Sequence, residues 1–379
     1  MATLLSPFLH DRFLHLLILL GLILAVFAPF SLRELPGAVD WPTIMTLCGL
    51  LMLTKGIEAS GYFDVLGRRL VQRFHRQRTL ALFLVAAASL LSTFLTNDVA
   101  LFILVPLTLS LRRFSALPIA RLIIFEALAV NAGSLLTPIG NPQNILMWRH
   151  GEASFAGFIW QMLPLATLLV GSLLLLTFFC FSRKKIELVA QQDRPQWQRP
   201  LLVASVLLYG VFIVSLELDY ALWGLLLVFA VFAVMARGIL LKIDWSLLAV
   251  FIIMFIDVYL LTRLPVLQTA LHSVSTLSGG GQYLLAIGLS QAISNVPATI
   301  LLLSSLPATT LMAWAVNIGG FGLLPGSLAN LIALRMAKDR SIWWHFHLYS
   351  LPMLVWAVAV GWGLFLVINA AQAQGIPGS

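Results

Sequence analysis

Two short clusters of hydroxyl and amide side chains have a spacing that suits a ligand-binding site. One reads Ser92-x-x-x-Thr96-Asn97 and the other reads Ser290-x-x-x-Ser294-Asn295. In each cluster a hydroxyl lies one helical turn before a hydroxyl–amide pair, so the three groups share one helix face. Oxygens of this kind, beside free backbone carbonyls, suit a hard cation such as Na⁺. Hydrogen bonding between helices would explain one such cluster, but its repetition favours a binding function.

A segment rich in glycine and proline follows each cluster. The first runs from Asn131 to Asn144 and the second from Asn317 to Asn330, with equal spacing between the two asparagines. Glycine and proline also kink or pack ordinary membrane helices. Two such segments at corresponding positions favour helices that break inside the membrane. Their half-helix N-termini attract an anion, and their free carbonyls bind a cation.

Acidic residues within apolar stretches are a further group of candidates, because ionisable side chains at membrane depth are usually functional. Asp98, Glu126 and Asp257 interrupt such stretches, and we predict that they are candidate proton carriers. Lys55 and Glu58 are spaced for a local ion pair near the end of their span, so we expect a structural role for them.

The elements that position these residues must be membrane helices. Of the 379 residues, 60% are apolar and only 10% are charged, whereas roughly a quarter of a soluble domain is charged. The apolar runs can cross a hydrocarbon core of about 30 Å, and they are too continuous for a membrane β-barrel.

The charged residues argue against nucleic-acid binding, because those that give the net charge of +8 lie in short loops beside the apolar runs. Cys48 and Cys180 lie in apolar stretches, which argues against disulfides and cysteine metal sites.

We predict an all-α polytopic membrane protein, an inverted-repeat transporter with about nine full spans plus two re-entrant helical hairpins. The predicted full spans are 14–31, 39–60, 121–148, 163–181, 201–216, 221–236, 245–261, 310–334 and 348–368. The first run has no small-residue cleavage site after it, so we expect a retained span. A cytoplasmic N-terminus places 19 of the 23 Lys and Arg residues on the cytoplasmic side, as the loop charge bias requires. Arg33, Arg149 and Arg263 then lie outside, and Lys55 lies within a span.

Two apolar stretches do not fit single crossings. Residues 79–111 have arginines at both ends, so both ends face the cytoplasm, yet two full crossings need roughly 40 residues. A re-entrant hairpin with its tip near Thr96-Asn97-Asp98 fits this stretch. Residues 281–306, with Ser294-Asn295 at the midpoint, form the counterpart from the opposite side. Irregular backbone at this depth requires protein or a wet cavity around it.

The two halves of the chain match element by element in opposite orientation. Asp40-Trp41 opens the span before the first hairpin, and Asp244-Trp245 opens the span before the second. We predict a first repeat at 1–182 with hairpin 79–111 and broken helix 121–148, a cytoplasmic linker at 183–200, a second inverted repeat at 201–370 with hairpin 281–306 and broken helix 310–334, and a flexible tail at 371–379. Inverted repeats with interrupted helices indicate a transporter site near the membrane midplane.

Four segments carry a resemblance to a known family: KGIEASGYFDVLGR, FLTNDVALF, NAGSLLTPIGNPQN and GGFGLLPGSLANLIALRMA. They resemble the ion-transporter superfamily of citrate-transporter-like permeases, which includes divalent anion/sodium symporters, arsenite permeases and NhaD-type sodium/proton antiporters. The chain looks most like the YbiR-type bacterial inner-membrane proteins of that group, nearly end to end. The resemblance implies an elevator-type mechanism, in which the hairpins and broken spans form a moving transport domain and the remaining spans form a scaffold and dimer interface.

The resemblance also implies site residues, because paired Ser-Asn-Thr tips bind carboxylate in symporters of the family, and the tips and broken helices bind Na⁺. The matching residues for ion coupling, with tentative Na⁺ sites at the two tips, are Ser92, Thr96, Asn97, Asn131, Gly133, Thr137, Gly140, Ser290, Ser294, Asn295, Asn317 and Gly319. The matching residues for substrate binding are Thr96, Asn97, Asp98, Asn144, Ser294, Asn295 and Asn330. The third tip position departs from the pattern, with Asp98 in one half and Val296 in the other. An ionised Asp98 would repel a dianion, which argues against dicarboxylate transport and suggests a proton carrier or cation ligand.

The function that fits best is a secondary active transporter for a small inorganic or organic anion, coupled to Na⁺ or H⁺, in a bacterial inner (plasma) membrane. Asp98 and Asp257 favour a sodium/proton antiporter as the alternative, and a channel fits two opposed hairpins less well. We expect no enzyme, since H-E-x-x-H and G-x-S-x-G motifs are absent. We also expect no cofactor beyond the coupling ion, no nucleic-acid partner, contact with membrane lipid, and a homodimer.

Overall fold

The computed structural model describes residues 8–9, 11–187, 197–218, 220–267, 274–339 and 341–373. These residues are mostly helical, as predicted. Residues 188–196 of the predicted linker and residues 374–379 of the predicted tail lie outside the described part of the chain.

The helices of the described residues follow one another with short connections. In chain order they are α1 (Arg12–Phe27), α2 (Leu35–Ala38), α3 (Trp41–Ala59), α4 (Tyr62–Arg73), α5 (Gln77–Phe94), α6 (Asn97–Ser110), α7 (Ile119–Ser134), α8 (Pro142–His150), α9 (Phe155–Cys180), α10 (Arg199–Glu217), α11 (Ala221–Met235), α12 (Arg237–Lys242), α13 (Trp245–Thr262), α14 (Gly279–Ile293), α15 (Asn295–Leu303), α16 (Thr310–Ile318), α17 (Leu328–Ala337) and α18 (Ile342–Ala373). Short 3₁₀ turns lie at Leu111–Arg113, Val274–Thr276 and Leu324–Gly326.

These helices form two compact units. Unit 1 comprises Met1–Arg69 and Ala190–Ala270, and unit 2 comprises Leu70–Val189 and Leu271–Ser379. Helices α1 to α3 and α10 to α13 belong to unit 1, and helices α5 to α9 and α14 to α18 belong to unit 2. Each unit therefore takes segments from both predicted halves of the chain.

In unit 1, helices α3 and α13 begin with the same local structure. Asp40 and Asp244 each cap their helix by accepting a hydrogen bond from the backbone N–H three residues later, at 3.3 Å and 3.0 Å. The indole N–H groups of Trp41 and Trp245 each donate to the carbonyl five residues earlier, at 2.8 Å and 3.0 Å. The two Asp-Trp pairs, which occupy corresponding positions in the two halves of the sequence, therefore begin their helices with the same hydrogen bonds.

Glycines allow α3 to pack closely against α10 and α11. A side chain at Gly49 would meet the ring of Phe212 at 2.2 Å, and one at Gly56 would meet Ser205 Oγ at 2.5 Å. Phe212 and Ser205 are fully buried. Small residues at helix crossings are the usual means of close packing in membranes, where water does not drive helices together.

In unit 2, both predicted hairpins are present as pairs of helices. Helices α5 and α6 are separated by residues 95–96, and helices α14 and α15 meet at Ser294. Helices α5 and α6 pack against each other and against α7, while α14 and α15 pack against each other and against α16. Both breaks lie at the residues predicted as hairpin tips, and the re-entrant course of these helices in the membrane stays a prediction.

Both predicted broken spans are interrupted as well. Helices α7 and α8 are separated by residues 135–141, and helices α16 and α17 by residues 319–327. The second interruption contains Gly322 at φ 96°, a conformation that residues with a side chain rarely adopt. The first interruption is shorter and contains no residue with positive φ.

The last span of each half also belongs to unit 2. Helix α9 packs against α5 and α7, and α18 packs against α7 and α16. Trp314 of α16 donates its indole N–H to the carbonyl of Gln161 (3.0 Å), and the Tyr283 hydroxyl donates to the carbonyl of Val358 (3.0 Å). The compact unit around the hairpins is therefore larger than the hairpins and broken spans alone.

The described helices have the length and surface of membrane spans. Helices α5, α9, α10, α13 and α18 are long and apolar enough to cross a bilayer, by length and composition. Large apolar side chains are exposed, including Phe179 (70%), Leu207 (65%) and Val355 (70%), as lipid contact requires. Lys55 and Glu58 form the predicted local ion pair (2.9 Å). The protein is a multi-pass membrane protein, and the direction of its insertion stays a prediction.

Gly49→Ala is expected to destabilise unit 1, because the added methyl group would lie 2.2 Å from the Phe212 ring. Overpacking of this kind costs about 1–3 kcal/mol, so the thermal unfolding midpoint in detergent should fall by a few degrees. Gly210→Ala is the matched control on α10, where no described atom lies within 4 Å, and alanine should be neutral or mildly stabilising. Equal midpoints in the two variants would rule out the close contact.

Candidate functional site

The first hairpin tip is held to the first broken helix through its backbone. Helix α6 begins at Asn97, and Thr96 caps it by accepting a hydrogen bond from the Val99 N–H (3.4 Å). The Asn97 N–H donates to the carbonyl of Gly140 (3.1 Å), while Asn97 Oδ1 accepts from the Asp98 N–H (3.0 Å). The structure thus brings together Thr96, Asn97 and Gly140, all predicted site residues.

Helices α5 and α7 touch through their backbones just before this tip. A side chain at Gly133 would lie 2.0 Å from the carbonyl oxygen of Ser89, so only glycine fits. Thr93 Oγ1 donates to the Gly133 carbonyl (3.1 Å), and Thr137 Oγ1 donates to the Thr93 carbonyl (2.6 Å). Ser92 is fully buried and donates to the Ser89 carbonyl (3.0 Å) of its own helix, which leaves its oxygen lone pairs as possible ligands.

The second hairpin tip contains a strained residue. Ser294, between α14 and α15, has φ 73° and ψ 154°, a region nearly restricted to glycine that costs about 1–3 kcal/mol. Its side chain does not cap α15, whose first residue is Asn295. Both residues are buried, and Asn295 Nδ2 has no hydrogen-bond partner among the described residues. Such strain persists only where the surroundings enforce it, and it clusters at binding sites.

The second tip packs against the second broken helix as the first tip packs against the first. A side chain at Gly319 would lie 2.3 Å from Ser290 Cβ. Gln291 Nε2 donates to the carbonyls of Gly319 (2.7 Å) and Phe321 (3.0 Å). Gln291 Oε1 accepts from the Leu323 N–H (2.7 Å). One side chain of the hairpin therefore satisfies three backbone groups of the interrupted segment.

Four buried asparagines join the two broken helices in matched pairs. We call Asn131, Asn144, Asn317 and Asn330 the asparagine quartet; none is more than 4% exposed. Asn131 Nδ2 donates to Asn330 Oδ1 (2.8 Å), and Asn317 Nδ2 donates to Asn144 Oδ1 (2.7 Å). The first asparagine of each segment thus donates to the last asparagine of the other. An unpaired buried amide costs about 1–3 kcal/mol, so these bonds stabilise the contact.

The other hydrogen bonds of the quartet follow the same two-fold pattern. The first asparagine of each segment also donates to the carbonyl four residues earlier, at 3.1 Å and 2.8 Å. The last asparagine of each segment also donates to the carbonyl ten residues earlier, at Ser134 (3.2 Å) and Gly320 (2.9 Å). Ser134 ends its helix and Gly320 lies in an interruption, so their carbonyls lack a helical partner. The last asparagine of each segment provides that partner.

The second tip and the first broken helix meet beside Gly320. A side chain there would lie 3.2 Å from Asn131 Oδ1 and 3.3 Å from Asn295 Nδ2. An acceptor and an unpaired donor therefore approach Gly320 closely, and glycine is the residue that leaves room for both. Asn295 Nδ2 can donate to a ligand without losing a bond to the described protein.

The site can attract an anion and also bind a cation. Helices α6, α8, α15 and α17 all begin at an interruption, and a helix N-terminus carries partial positive charge. Among the described residues, no group of His, Cys, Asp and Glu side chains could hold a metal ion. A cation would therefore bind to hydroxyl, amide and carbonyl oxygens, which are the ligands that suit Na⁺.

The three acids predicted as proton carriers lie in different surroundings. Asp98 is half-buried at the second position of α6. Glu126 is fully buried; its Oε1 accepts from Thr108 Oγ1, and its Oε2 has no partner among the described residues. Asp257 packs against Gly21 in unit 1, with both carboxyl oxygens lacking a described partner. Asp98 and Glu126 share a unit with the tips, whereas Asp257 does not.

Sequence reasoning missed several side chains of the site. Thr93 and Gln291 each follow the tip serine by one residue, and each donates to the carbonyl of a glycine at the C-terminal end of a broken helix, Gly133 or Gly319. Their equal positions in the two tips were the available signal. Asn141 Nδ2 and Gln143 Nε2 both donate to Asn317 Oδ1, at 3.0 Å and 3.4 Å. Neither has an amide at the matching position of the second half, so the repeat did not mark them.

Asn317→Ala is expected to lower the thermal unfolding midpoint in detergent, because it leaves Asn144 Oδ1 without its donor and removes one of the two acceptors of Asn141 Nδ2. Each orphaned buried group costs about 1–3 kcal/mol. Ser304→Ala, which removes an exposed hydroxyl bond, is the control and should change little. The double variant Asn317→Ala/Asn144→Ala should lose less than the sum of the single variants, because both remove one shared bond. Additive losses would contradict the pairing.

Comparison with known proteins agrees with the resemblance read from the motifs. The family model described as Citrate transporter matches residues 9–313. The chain is 60% identical over 368 residues to Inner membrane protein YbiR of Escherichia coli strain K12, across 96% of this chain and 99% of that protein. It is 30% identical over 337 residues to Uncharacterized transporter MJ0456 of Methanocaldococcus jannaschii, across 87% and 91% of the two chains. It is 31% identical over 164 residues to Silicon efflux transporter LSI3 of Oryza sativa, across 42% and 34%. The family match and the nearly complete coverage of these bacterial and archaeal relatives show that this chain belongs to the citrate transporter family of membrane transport proteins.

Proposed function

We propose that this protein is a secondary active transporter that moves a small inorganic or organic anion across the bacterial inner membrane, coupled to Na⁺ or H⁺. The observation that carries the proposal is the junction beside Gly320, where Asn295 Nδ2 remains an unpaired buried donor next to the asparagine quartet. The family and the names of the relatives support transport as the activity.

The donors at this junction suit an anion of low charge. Asn295 Nδ2 and the backbone N–H groups at the start of α15 are neutral, and neither tip contains Lys or Arg. A dianion would lack a cationic partner and would be repelled by an ionised Asp98. The family is named for citrate and one relative for silicon; we favour a small oxyanion or its weak acid over a dicarboxylate for this chain.

Oxygens near each tip support Na⁺ as a coupling ion. In the first half, Ser92 and Thr96 lie beside the interruption at residues 135–141, and in the second half Ser290 and Ser294 lie beside the interruption at residues 319–327. Interrupted helices supply free carbonyls as further ligands. We place one Na⁺ site at each tip.

For the transport step we propose an elevator-type mechanism. Unit 2 contains both hairpins, both broken helices and the asparagine quartet, so the binding groups would travel together as the transport domain. Unit 1 would be the scaffold and would provide the interface of a homodimer. Saturable uptake and counterflow in proteoliposomes would support a carrier of this kind, whereas non-saturable flux would point to a channel.

Proton coupling, as in a sodium/proton antiporter, is the second candidate function. The observation that favours it is Glu126, which is fully buried in unit 2 with one carboxyl oxygen lacking a described partner. A carboxylate in such a place is costly when ionised without a cation. Reversible protonation would relieve that cost. Asp98, at the first tip, is the second acid of unit 2 that would carry a proton.

Asn97→Ala and Asn295→Ala are expected to abolish anion uptake into proteoliposomes without preventing membrane insertion. Asn295 Nδ2 makes no bond to the described protein, so its loss should affect binding far more than folding. The assay should compare a panel of oxyanions and carboxylates with and without Na⁺. Gln282→Ala, at the other end of α14, is the matched control and should retain uptake. Normal uptake by both tip variants would remove the site assignment.

Asp98→Asn and Glu126→Gln are each expected to flatten the pH dependence of uptake, because an amide of the same shape cannot carry a proton. The glutamine amide of the second variant can still pair with Thr108, so Glu126→Gln should fold. Asp257→Asn changes a buried acid of unit 1 and should keep the pH profile. Proton-driven uptake with an unaltered profile in the first two variants would exclude both acids as carriers.

A further inference from the structure

Two adjoining cavities lie at the ends of several helices of unit 2. One, of about 340 Å³, is lined by Arg112, Arg121, Asp339 and His345. The other, of about 640 Å³, shares Arg121 and adds Lys184. We call the two cavities together the basic pocket. Arg112 lies just beyond the end of α6, a helix of 14 residues that begins at the first tip, so the pocket and the tip are separated by about 20 Å of helix.

The charges in the basic pocket do not balance. Hydrogen bonds from Ser341 hold the pKa of Asp339 below its usual range, and Arg112 acts in the same direction. The one carboxylate is therefore ionised at neutral pH and offsets one of three permanent cations, Arg112, Arg121 and Lys184. A net positive charge remains in the pocket for an anion.

Arg121 is the cation best placed to bind that anion. Its Nη1 donates to the Cys180 carbonyl (2.9 Å), and its guanidinium lies 5.8 Å from the centre of the Phe181 ring. These contacts orient the side chain, but no carboxylate among the described residues pairs with it. Its remaining N–H groups form the planar fork that suits a phosphate group.

The residues around the pocket are of the kinds found at the level of lipid headgroups. Trp343 and Trp344 lie in the first turn of α18 beside His345, and Trp344 is 82% exposed. Exposed tryptophans at a helix end are typical of the membrane–water interface. Leu117 and Tyr349 add an apolar wall to the smaller cavity, as a glycerol backbone and the start of acyl chains would require.

We propose that the basic pocket binds the phosphate group of an anionic phospholipid, with Arg121 and Arg112 as its principal ligands. The smaller cavity lies within the range of about 300–1,000 Å³ that is usual for ligand sites. Basic pockets between membrane helices commonly hold anionic headgroups. The site is separate from the hairpin tips and does not depend on the identity of the transported substrate.

The test uses the purified full-length protein in detergent, with native mass spectrometry and thermal unfolding as readouts. Phosphatidylglycerol, phosphatidylcholine and inorganic phosphate are added separately. Phosphatidylglycerol is expected to bind and to raise the unfolding midpoint, whereas phosphatidylcholine and phosphate have little effect. Arg112→Gln and Arg121→Gln should each weaken phosphatidylglycerol binding about fivefold, the factor for one basic charge at an anionic lipid surface.

Arg149→Gln is the matched control, because Arg149 lies in the last turn of α8 and does not line either cavity; it should bind phosphatidylglycerol normally. Arg112→Gln also separates lipid binding from folding. Arg112 is exposed, so its replacement should leave the fold intact, whereas Arg121 donates a hydrogen bond to the last residue of α9. Equal binding of both lipids, or undiminished phosphatidylglycerol binding by both pocket variants, would overturn the proposal. Inorganic phosphate alone could instead raise the thermal unfolding midpoint, with both Arg112→Gln and Arg121→Gln abolishing that increase. This result would overturn the lipid assignment in favour of a free-phosphate site.

Discussion

A helix that breaks inside a membrane would leave N–H and carbonyl groups that lipid cannot satisfy, and the described helices of unit 2 have four interruptions, at residues 95–96, 135–141, 294 and 319–327. Side-chain amides and hydroxyls supply most of the missing partners. The asparagine quartet binds carbonyls of both interrupted segments and links the two broken helices to each other. Thr93 and Gln291 likewise link each hairpin to the end of the neighbouring broken helix. The groups that hold the fold together are therefore the groups that surround the candidate site.

The two hairpin tips have similar sequences but different local chemistry. At the first tip, the Asn97 backbone is bound to Gly140, and its side chain accepts a bond from the next residue. At the second tip, Ser294 is strained and the Asn295 amide nitrogen is unpaired. The first tip is thus largely satisfied by the protein itself, while the second retains a free donor. Two similar sequences therefore give one tip whose amide is hydrogen-bonded within the protein and one tip with an unpaired buried donor.

Much of the fold was predictable because its causes are local. Apolar length predicts helices, and Gly-Pro segments and the Ser-x-x-x-Thr/Ser-Asn clusters predict where those helices break. In the structure, helices end at residues 95–96 and at Ser294, within the two clusters. The pairing of Asn131 with Asn330 was not predictable, because spacing along a chain does not show which segments meet in space. The grouping of α9 and α18 with unit 2 depends on packing in the same way. Asp257 lay at the right depth in the sequence, yet it belongs to unit 1.

Helix α18 has 32 residues, which corresponds to a length of about 48 Å. The hydrocarbon core of a bilayer measures about 30 Å, so this helix exceeds it by more than half. Tilting, extension beyond the headgroups or local thickening of the bilayer must absorb the difference. Because α18 packs against α7 and α16, the mismatch is transmitted to helices that carry the asparagine quartet. The acyl-chain length of the surrounding lipid, which sets the thickness of the bilayer, should therefore affect the packing of α18 against the rest of unit 2.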